Sequence, residues 1–190
     1  MKLAPVWLMQ PIPYMGEDLE GVWIIEQKVD GWRMQIIKSD KGIEFWGRRL
    51  EKQPNWTEKL SYLSKYLESI PDNTLLDTEI TSEKGRRFIP SLFKKTPDVK
   101  AIIYVFDVIY YKGREVFTVP LKERKLLLQD LNLKDPFQLM PYEKLHYDVK
   151  TMVINAKRDG FEGIVLKEFF SLYEIGKGGP IATIFWRKAK

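Results

Sequence analysis

A chain of 190 residues with 44% hydrophobic side chains suits one domain with a real core and excludes wholesale disorder. It holds no cysteine, which excludes a disulfide framework and a thiolate zinc site and fits a reducing compartment. A net charge of +5 and a pI near 9.2 incline the surface, modestly, toward phosphate-bearing partners.

The amino-terminal stretch is broken by Pro5, Pro11 and Pro13, so it does not read as the apolar segment of a signal peptide. No apolar run is long enough to span a bilayer. The expectation is a soluble cytoplasmic protein with no membrane partner.

Strand patterns occupy 22–28 and 34–38, on either side of Asp30-Gly31, and 43–47. Leu60, Leu63, Leu67 and Ile70 recur at helical spacing, so 57–70 is predicted as a helix stopped by Pro71. A strand is predicted at 74–80. Another, buried, is predicted over the β-branched and aromatic run 101–111. Lys112-Gly113 then turns the chain. The segment 120–131 reads as a helix with Pro120 in its first turn. A second helix is predicted over 143–159, carrying His146, with Gly160 as its cap. Strands at 162–169 and 182–190 flank a Gly-rich loop. No repeat or composition shift marks a domain boundary. Hairpin-like strands with a few helices favour α+β over regular βαβ alternation.

The stretch "EQKVDGWR", 26–33, sets Lys28 between acids at the end of an apolar strand. An Asp-Gly pair is usually a hairpin turn, and a lone lysine there is usually solvated. The alternative is a nucleophile. An amine attacks phosphorus only when neutral, which requires desolvation or neighbouring positive charge. Lys188 and Lys190 supply that charge if the last strand passes beside Lys28. Glu79 and Glu162 sit on or beside apolar strands, where an unpaired charge is costly. Each reads either as half of a salt bridge or as a hard oxygen ligand for Mg²⁺ on nucleotide phosphates. Phe106 reads as core or as a face for a base, and Arg48 as a turn cation or a ligand contact.

Taken in order, the segments resemble the adenylylation domain of the ATP-dependent DNA ligases, within the covalent nucleotidyltransferase superfamily. "KVDGWR" is similar to the K-x-D-G-x-R motif. "WGRRLE" resembles the S-R-N segment with Gly47 in place of serine. "LLDTEI" resembles the D-G-E strand with Thr78 in place of glycine. "YVFDVIYYKG", "VPLKERKLLL", "EGIVLK" and "WRKAK" follow in the family's order. The resemblance runs from about Glu26 to the last residue, and several segments in order are far more specific than any one.

The resemblance implies an α+β, ATP-grasp-like DNA ligase/mRNA capping enzyme core: two packed, largely antiparallel sheets with flanking helices and an ATP cleft between them. It implies that Lys28 receives AMP as a phosphoramidate. Glu26 and Phe106 are expected to contact adenine, and Arg48 and Glu79 the ribose. Arg33, Lys167, Lys188 and Lys190 are expected to meet the phosphates, with Arg33, Lys188 and Lys190 sharing in catalysis. Glu79 and Glu162 are expected to hold Mg²⁺ or Mn²⁺. Asp30 is expected to matter in catalysis, its duty undefined, and His146 to take no part. The expected substrate is nicked double-stranded DNA, with an RNA ligase as the nearest rival. A nucleotide- or DNA-end-binding module without turnover is the reading from another class.

ATP is favoured over NAD, because only 27 residues precede Lys28 and the zinc-binding cysteines of NAD-dependent ligases are missing. Glu26 favours adenine over guanine, since a carboxylate accepts from adenine's amine and repels guanine's carbonyl. The chain is expected to be one domain over 1–190, acting as a monomer. The family's OB-fold domain is expected to be absent from it, leaving a clamping role to a separate domain or partner.

Overall fold

The computed structural model describes residues 3–190. The first sheet contains β1 (Met9–Pro13), β2 (Trp23–Lys28), β9 (Tyr142–Lys144), β10 (Gly163–Glu168) and β11 (Ile181–Ala189), in the order β1-β11-β10-β2-β9. The second contains β3 (Trp32–Ser39), β4 (Gly42–Gly47), β5 (Thr74–Ser82), β6 (Ala101–Tyr111) and β7 (Arg114–Glu115), in the order β4-β3-β5-β6-β7. The short β8 (Phe137–Leu139) lies alongside β6. Only the β1–β11 and β6–β8 pairings are parallel. The expected α+β architecture of two largely antiparallel sheets is what forms.

Three apolar layers hold it together. Leu8, Met9, Ile37, Leu75, Ile109, Tyr173 and Trp186 pack between the sheets. On the outer face of the second sheet, Ile36, Phe45, Leu76 and Val105 meet Leu60, Leu63, Leu67 and Leu92. On the outer face of the first, Ile25, Ile164 and Leu166 meet Val149 and Ala156 of α2 (Val149–Arg158). β5 and β6 are covered on both faces; β6 accordingly reads as a near-continuous apolar run, whereas β5 also buries Thr74, Asp77 and Thr78.

Asp30-Gly31 is not a hairpin. β2 belongs to one sheet and β3 to the other, and they do not pair. The turn carries the chain from layer to layer. It passes so close to β5 that a Cβ on Gly31 would sit 2.6 Å from the Ile80 carbonyl oxygen and 2.8 Å from Glu79 Cγ. Glycine is required there by space.

Two predicted helices are corrected. Residues 57–70 form successive tight turns with a 3₁₀ helix at Ser61–Tyr66, not an α-helix. The apolar spacing correctly marks the buried side chains, but Ser61, Tyr62, Ser64 and Tyr66 are indifferent helix formers. The short i→i+3 bonds Leu63 N–H to Leu60 O and Leu67 N–H to Ser64 O take over. The predicted helix at 143–159 begins only at Val149, where Asp148 caps it by accepting from Thr151 N–H at 3.0 Å. Residues 142–144 instead add a strand to β2, and His146 lies exposed in the intervening loop. The remaining helix, α1 (Leu121–Gln129), falls where predicted, with Pro120 as its N-cap.

Candidate active site

Between the sheets opens a cleft of about 760 Å³. Ten residues singled out from the sequence line it: Glu26, Lys28, Arg33, Arg48, Glu79, Phe106, Glu162, Lys167, Lys188 and Lys190. Asp30 does not. It faces outward, half exposed, and accepts from Arg86 Nη1 at 2.7 Å.

Lys28 ends β2, where the strand leaves the first sheet. β10 pairs with β2 on one side and β11 on the other, with Lys28 opposite Gly163 and Lys188 opposite Val165. The Glu162 carboxylate, just before β10, receives Lys28 on one oxygen and Lys190 on the other. Burial pushes the Glu162 carboxyl up, but the hydrogen bonds from Lys190 and Lys28 outweigh it and hold it below its usual range. Gly163 must be glycine: its φ is +152°, and a Cβ would lie 2.1 Å from the Ala189 carbonyl oxygen.

Glu79 faces the same space from β5. Among the described residues no hydrogen bond or ion pair engages its carboxylate. Burial raises its pKa to about 7, despite the opposing charges of Arg33 and Lys28. It is an acceptor held ready without a protein partner.

At the other end of the cleft, Glu26 is buried between two lysines. Lys125, from α1, donates to one oxygen and to the Phe106 carbonyl, the latter at 2.7 Å. Lys167 Nζ stands 2.6 Å from the other oxygen, a charged contact within hydrogen-bond distance. That ammonium lies 4.5 Å from the Phe106 ring centroid and 4.0 Å from that of Trp186. Burial lowers the Lys167 pKa to about 8, against the pull of Glu26 and with the push of Lys125. Among the described residues the buried Trp186 Nε1 has no hydrogen-bond acceptor. A buried donor left open in this way can take its acceptor from a water or a ligand.

Arg33 departs from expectation. Its guanidinium is buried and committed to Asp77, with Nε to Oδ1 at 2.9 Å and Nη2 to Oδ2 at 2.5 Å, while Tyr173 donates to the same carboxylate at 2.6 Å. It packs 5.4 Å from the Phe106 centroid and so forms the floor of the cleft rather than a free phosphate ligand. Asp77 shares a strand face with Glu79, two residues on, which is the one sequence signal for this pairing. Lys125 was legible only as a cation inside the leucine-rich helix "LKERKLLL". The neighbouring Arg124 is equally buried and pairs with Asp107 at 2.7 Å.

The two departures in the motifs have local reasons. A Cβ on Gly47 would lie 2.5 Å from the Trp56 ring, so the indole occupies the space a serine would need. Thr78 Oγ1 donates to the Met34 carbonyl at 2.7 Å and ties β5 to β3. Trp56, Arg49 and Lys52 also line the cleft. Nine lysines and arginines face three carboxylates there, so the cleft gathers the positive excess of the whole chain.

A basic cleft between two sheets, with a lysine at a strand end and carboxylates beside it, has the charge to attract a phosphate-bearing ligand. The chain belongs to the ATP-dependent DNA ligase domain family, which it matches over residues 8–180. It is 26% identical over 167 residues to the DNA ligase of vaccinia virus, a match covering 80% of this chain and 30% of the viral protein. It is 32% identical over 161 residues to the SPbeta prophage-derived DNA ligase-like protein LigB of Bacillus subtilis, covering 82% and 57%. Its fold is that of a mycobacterial DNA ligase D complexed with ATP and MES, with a TM-score of 0.75 at 21% identity over 96% of this chain and 59% of that one. The chain thus spans about a third of the viral relative and just over half of the bacterial one.

Proposed function

We propose that this chain is the self-adenylylating core of an ATP-dependent DNA ligase, acting on nicked duplex DNA. The single observation that carries the reading is Lys28, placed at the mouth of β2 inside the basic cleft and within reach of both Glu162 and Glu79.

Adenine is assigned to the end of the cleft at Glu26 and Phe106. The two lysines on Glu26 leave acceptor capacity on its carboxylate, which has about four lone-pair sites, for the exocyclic amine of adenine. The Phe106 ring offers an apolar face. Arg48 and Glu79 are assigned to the ribose, and Lys167, Lys188 and Lys190 to the phosphates.

Lys28 begins in an ion pair with Glu162, and an ammonium has no lone pair to offer. Attack requires that the ammonium pass its proton to solvent water once a triphosphate is seated. The freed Nζ lone pair then attacks the α-phosphorus. An N–P bond forms, the bond to the pyrophosphate oxygen breaks, and pyrophosphate leaves with the electron pair. In-line transfer at phosphorus depends on positioned cations more than on acid–base groups, which is what the cleft supplies. In a second step a 5′-phosphate oxygen displaces Lys28 from the AMP phosphorus. In a third, a 3′-hydroxyl attacks the activated 5′-phosphate, AMP departs, and the strand is joined.

A divalent cation fits these residues in part. Among the described residues Glu79 has no hydrogen-bond or ion-pair partner, Glu162 has hard oxygens that now hold Lys28 and Lys190, and no cluster of three metal-binding side chains forms. Glu79 and Glu162 would therefore hold Mg²⁺ or Mn²⁺ together with the nucleotide's own oxygens. When bound, the ion neutralises phosphate charge. We assign the chain to nick sealing in replication and repair, as a monomer in the cytoplasm where ATP is at hand.

The test is incubation with α-labelled ATP, GTP or NAD and Mg²⁺, followed by a denaturing gel. Label from ATP alone, released by hydroxylamine or acid as expected for a phosphoramidate, supports the reading. No label from any of the three overturns it in favour of a binding module. Transfer of label to nicked RNA but never to DNA overturns the choice of substrate.

A further inference from the structure

Beside the cleft lies a second concavity, of about 580 Å³, lined by Asp30, Trp32, Lys84, Arg86, Arg87 and Pro90, with Gly85 at its rim. Two of these residues, Trp32 and Arg86, also line the main cleft, so the two spaces adjoin. We infer that residues 84–87, with Trp32, form a second anion site that binds backbone phosphates of the nicked duplex beside the reacting end. The inference rests on the reading of the chain as a DNA ligase core and adds to it where the polynucleotide lies.

Charge is the first argument. Three cations, Lys84, Arg86 and Arg87, face a single carboxylate, Asp30, and that carboxylate is neutralised by Arg86. The one other acid in the loop, Glu83, is turned away and accepts from the Lys100 backbone N–H at 3.3 Å. The Asp30–Arg86 pair is half exposed and worth little as a stabilising contact. Its consequence is positional: it fixes one guanidinium at the junction of the two cavities. This gives Asp30, which the cleft leaves out, a duty of its own.

Preorganisation is the second. The loop follows β5 directly and is pinned by the buried Ser82. Ser82 Oγ accepts from Lys84 N–H at 3.2 Å and donates to the Gly85 carbonyl at 2.8 Å, and Gly85 N–H donates to the Ser82 carbonyl at 2.9 Å. Gly85 has φ +86° with open space around it, so glycine is required by backbone conformation and not by crowding. Thr81 Oγ1 ties the loop's root to the Asp30 carbonyl at 3.3 Å. The cations are therefore carried by a braced turn, and they need little ordering on binding.

Shape is the third. Trp32 is half-buried and braced by Phe93 and Trp56, with ring centroids 5.6 and 6.0 Å away. A fixed aromatic face among cations is the combination that accepts the sugar-phosphate chain and stacks a displaced base. Phosphates position a duplex without reading its sequence, which suits an enzyme that must act at any nick.

The experiment uses the full chain with Lys84→Glu/Arg87→Glu, two exposed residues outside the main cleft. A second variant, Lys84→Gln/Arg87→Gln, removes charge without reversing it. A third, Lys41→Glu/Lys65→Glu, lowers net charge equally at exposed lysines outside both cavities. Circular dichroism checks folding. Fluorescence anisotropy with a labelled nicked duplex is measured across a salt series, and lysyl-AMP yield is measured in parallel. The expected result is a loss of duplex affinity of about tenfold or more for the 84/87 variants. Their salt slope should be shallower by about 0.9 for each phosphate no longer neutralised. Lysyl-AMP yield should be unchanged, and the Lys41/Lys65 control should bind nearly as wild type. Unchanged affinity and slope in the 84/87 variants, or an equal loss in the control, would overturn the site. A wild type that binds the duplex in this way yet forms no lysyl-AMP would leave the phosphate site standing and sink the ligase reading instead.

Discussion

Lys28 and Lys190 stand on segments separated by a whole strand, and one carboxylate, Glu162, receives both of their ammonium groups. Glu162 thus holds the proposed nucleophile and a proposed phosphate ligand in one arrangement. Reaction requires that the arrangement be broken, and a triphosphate is the ligand with the charge to break it.

The first expectation concerns Lys28 itself. Lys28→Ala and Lys28→Arg should abolish labelling by α-labelled ATP. Arginine keeps the charge and the Glu162 pair but is not deprotonated at working pH. Full labelling of either variant would remove Lys28 from the role of nucleophile.

Glu162→Gln and Lys188→Ala should slow lysyl-AMP formation by roughly a hundredfold or more, the usual cost of removing a preorganised charge that stabilises a transition state. Both side chains keep some contact with solvent, Glu162 with 25% of its side chain exposed, so both variants should stay folded, with a fall in thermal midpoint for Glu162→Gln, which leaves Lys28 and Lys190 without their carboxylate. Single-turnover labelling and a thermal melt separate the two effects. Near-wild-type rates in both variants would make these residues structural.

Glu79 predicts opposite pH dependences for activity and stability. Burial raises its folded pKa to about 7 from an ordinary value of 4.5. Between these values the folded state holds the proton that the unfolded state has released. The contribution of Glu79 to stability is therefore fully present below about 4.5 and is lost as pH rises toward 7. Glu79→Gln should raise the melting temperature at pH 8 and leave it nearly unchanged at pH 4.5. The second-order rate of labelling by ATP should rise through pH 7 in the native chain as the carboxylate ionises. That inflection should vanish in Glu79→Gln. Identical pH profiles for the two would contradict the assignment.

Gly47 makes a packing prediction. Gly47→Ser should destabilise the fold by about 1–3 kcal/mol, because the new Cβ meets the Trp56 ring. In a Trp56→Ala background the same change should cost much less. Denaturant unfolding of the four members of this cycle gives the coupling directly. Additive effects would mean that the indole is not what excludes a larger residue.

The sequence by itself determined the longer strands and most of the cleft, whereas β1, β8 and the strand at 142–144 emerge only in the structure. Apolar runs at 22–28 and 101–111, and the mixed stretch at 74–80, mark strands because burial on one or both sheet faces selects β-branched and aromatic residues, wherever the partner strand lies. Ten of the named site residues line one cleft because each sits in a short motif whose residue types phosphate chemistry constrains. Only the tertiary structure decided how those residues are paired. Arg33 and Asp77, Lys125 and Glu26, and Lys190 and Glu162 are 44, 99 and 28 positions apart. No local pattern encodes which charge a folded chain brings to which. Only the structure shows that Asp30-Gly31 passes between sheets, since a tight turn has the same residues whether its strands pair or part. The helix at 57–70 and the first turns of the one at 143–159 failed for a related reason. Apolar spacing reports which side chains are buried, but the backbone beneath them is settled by the neighbours they are buried against.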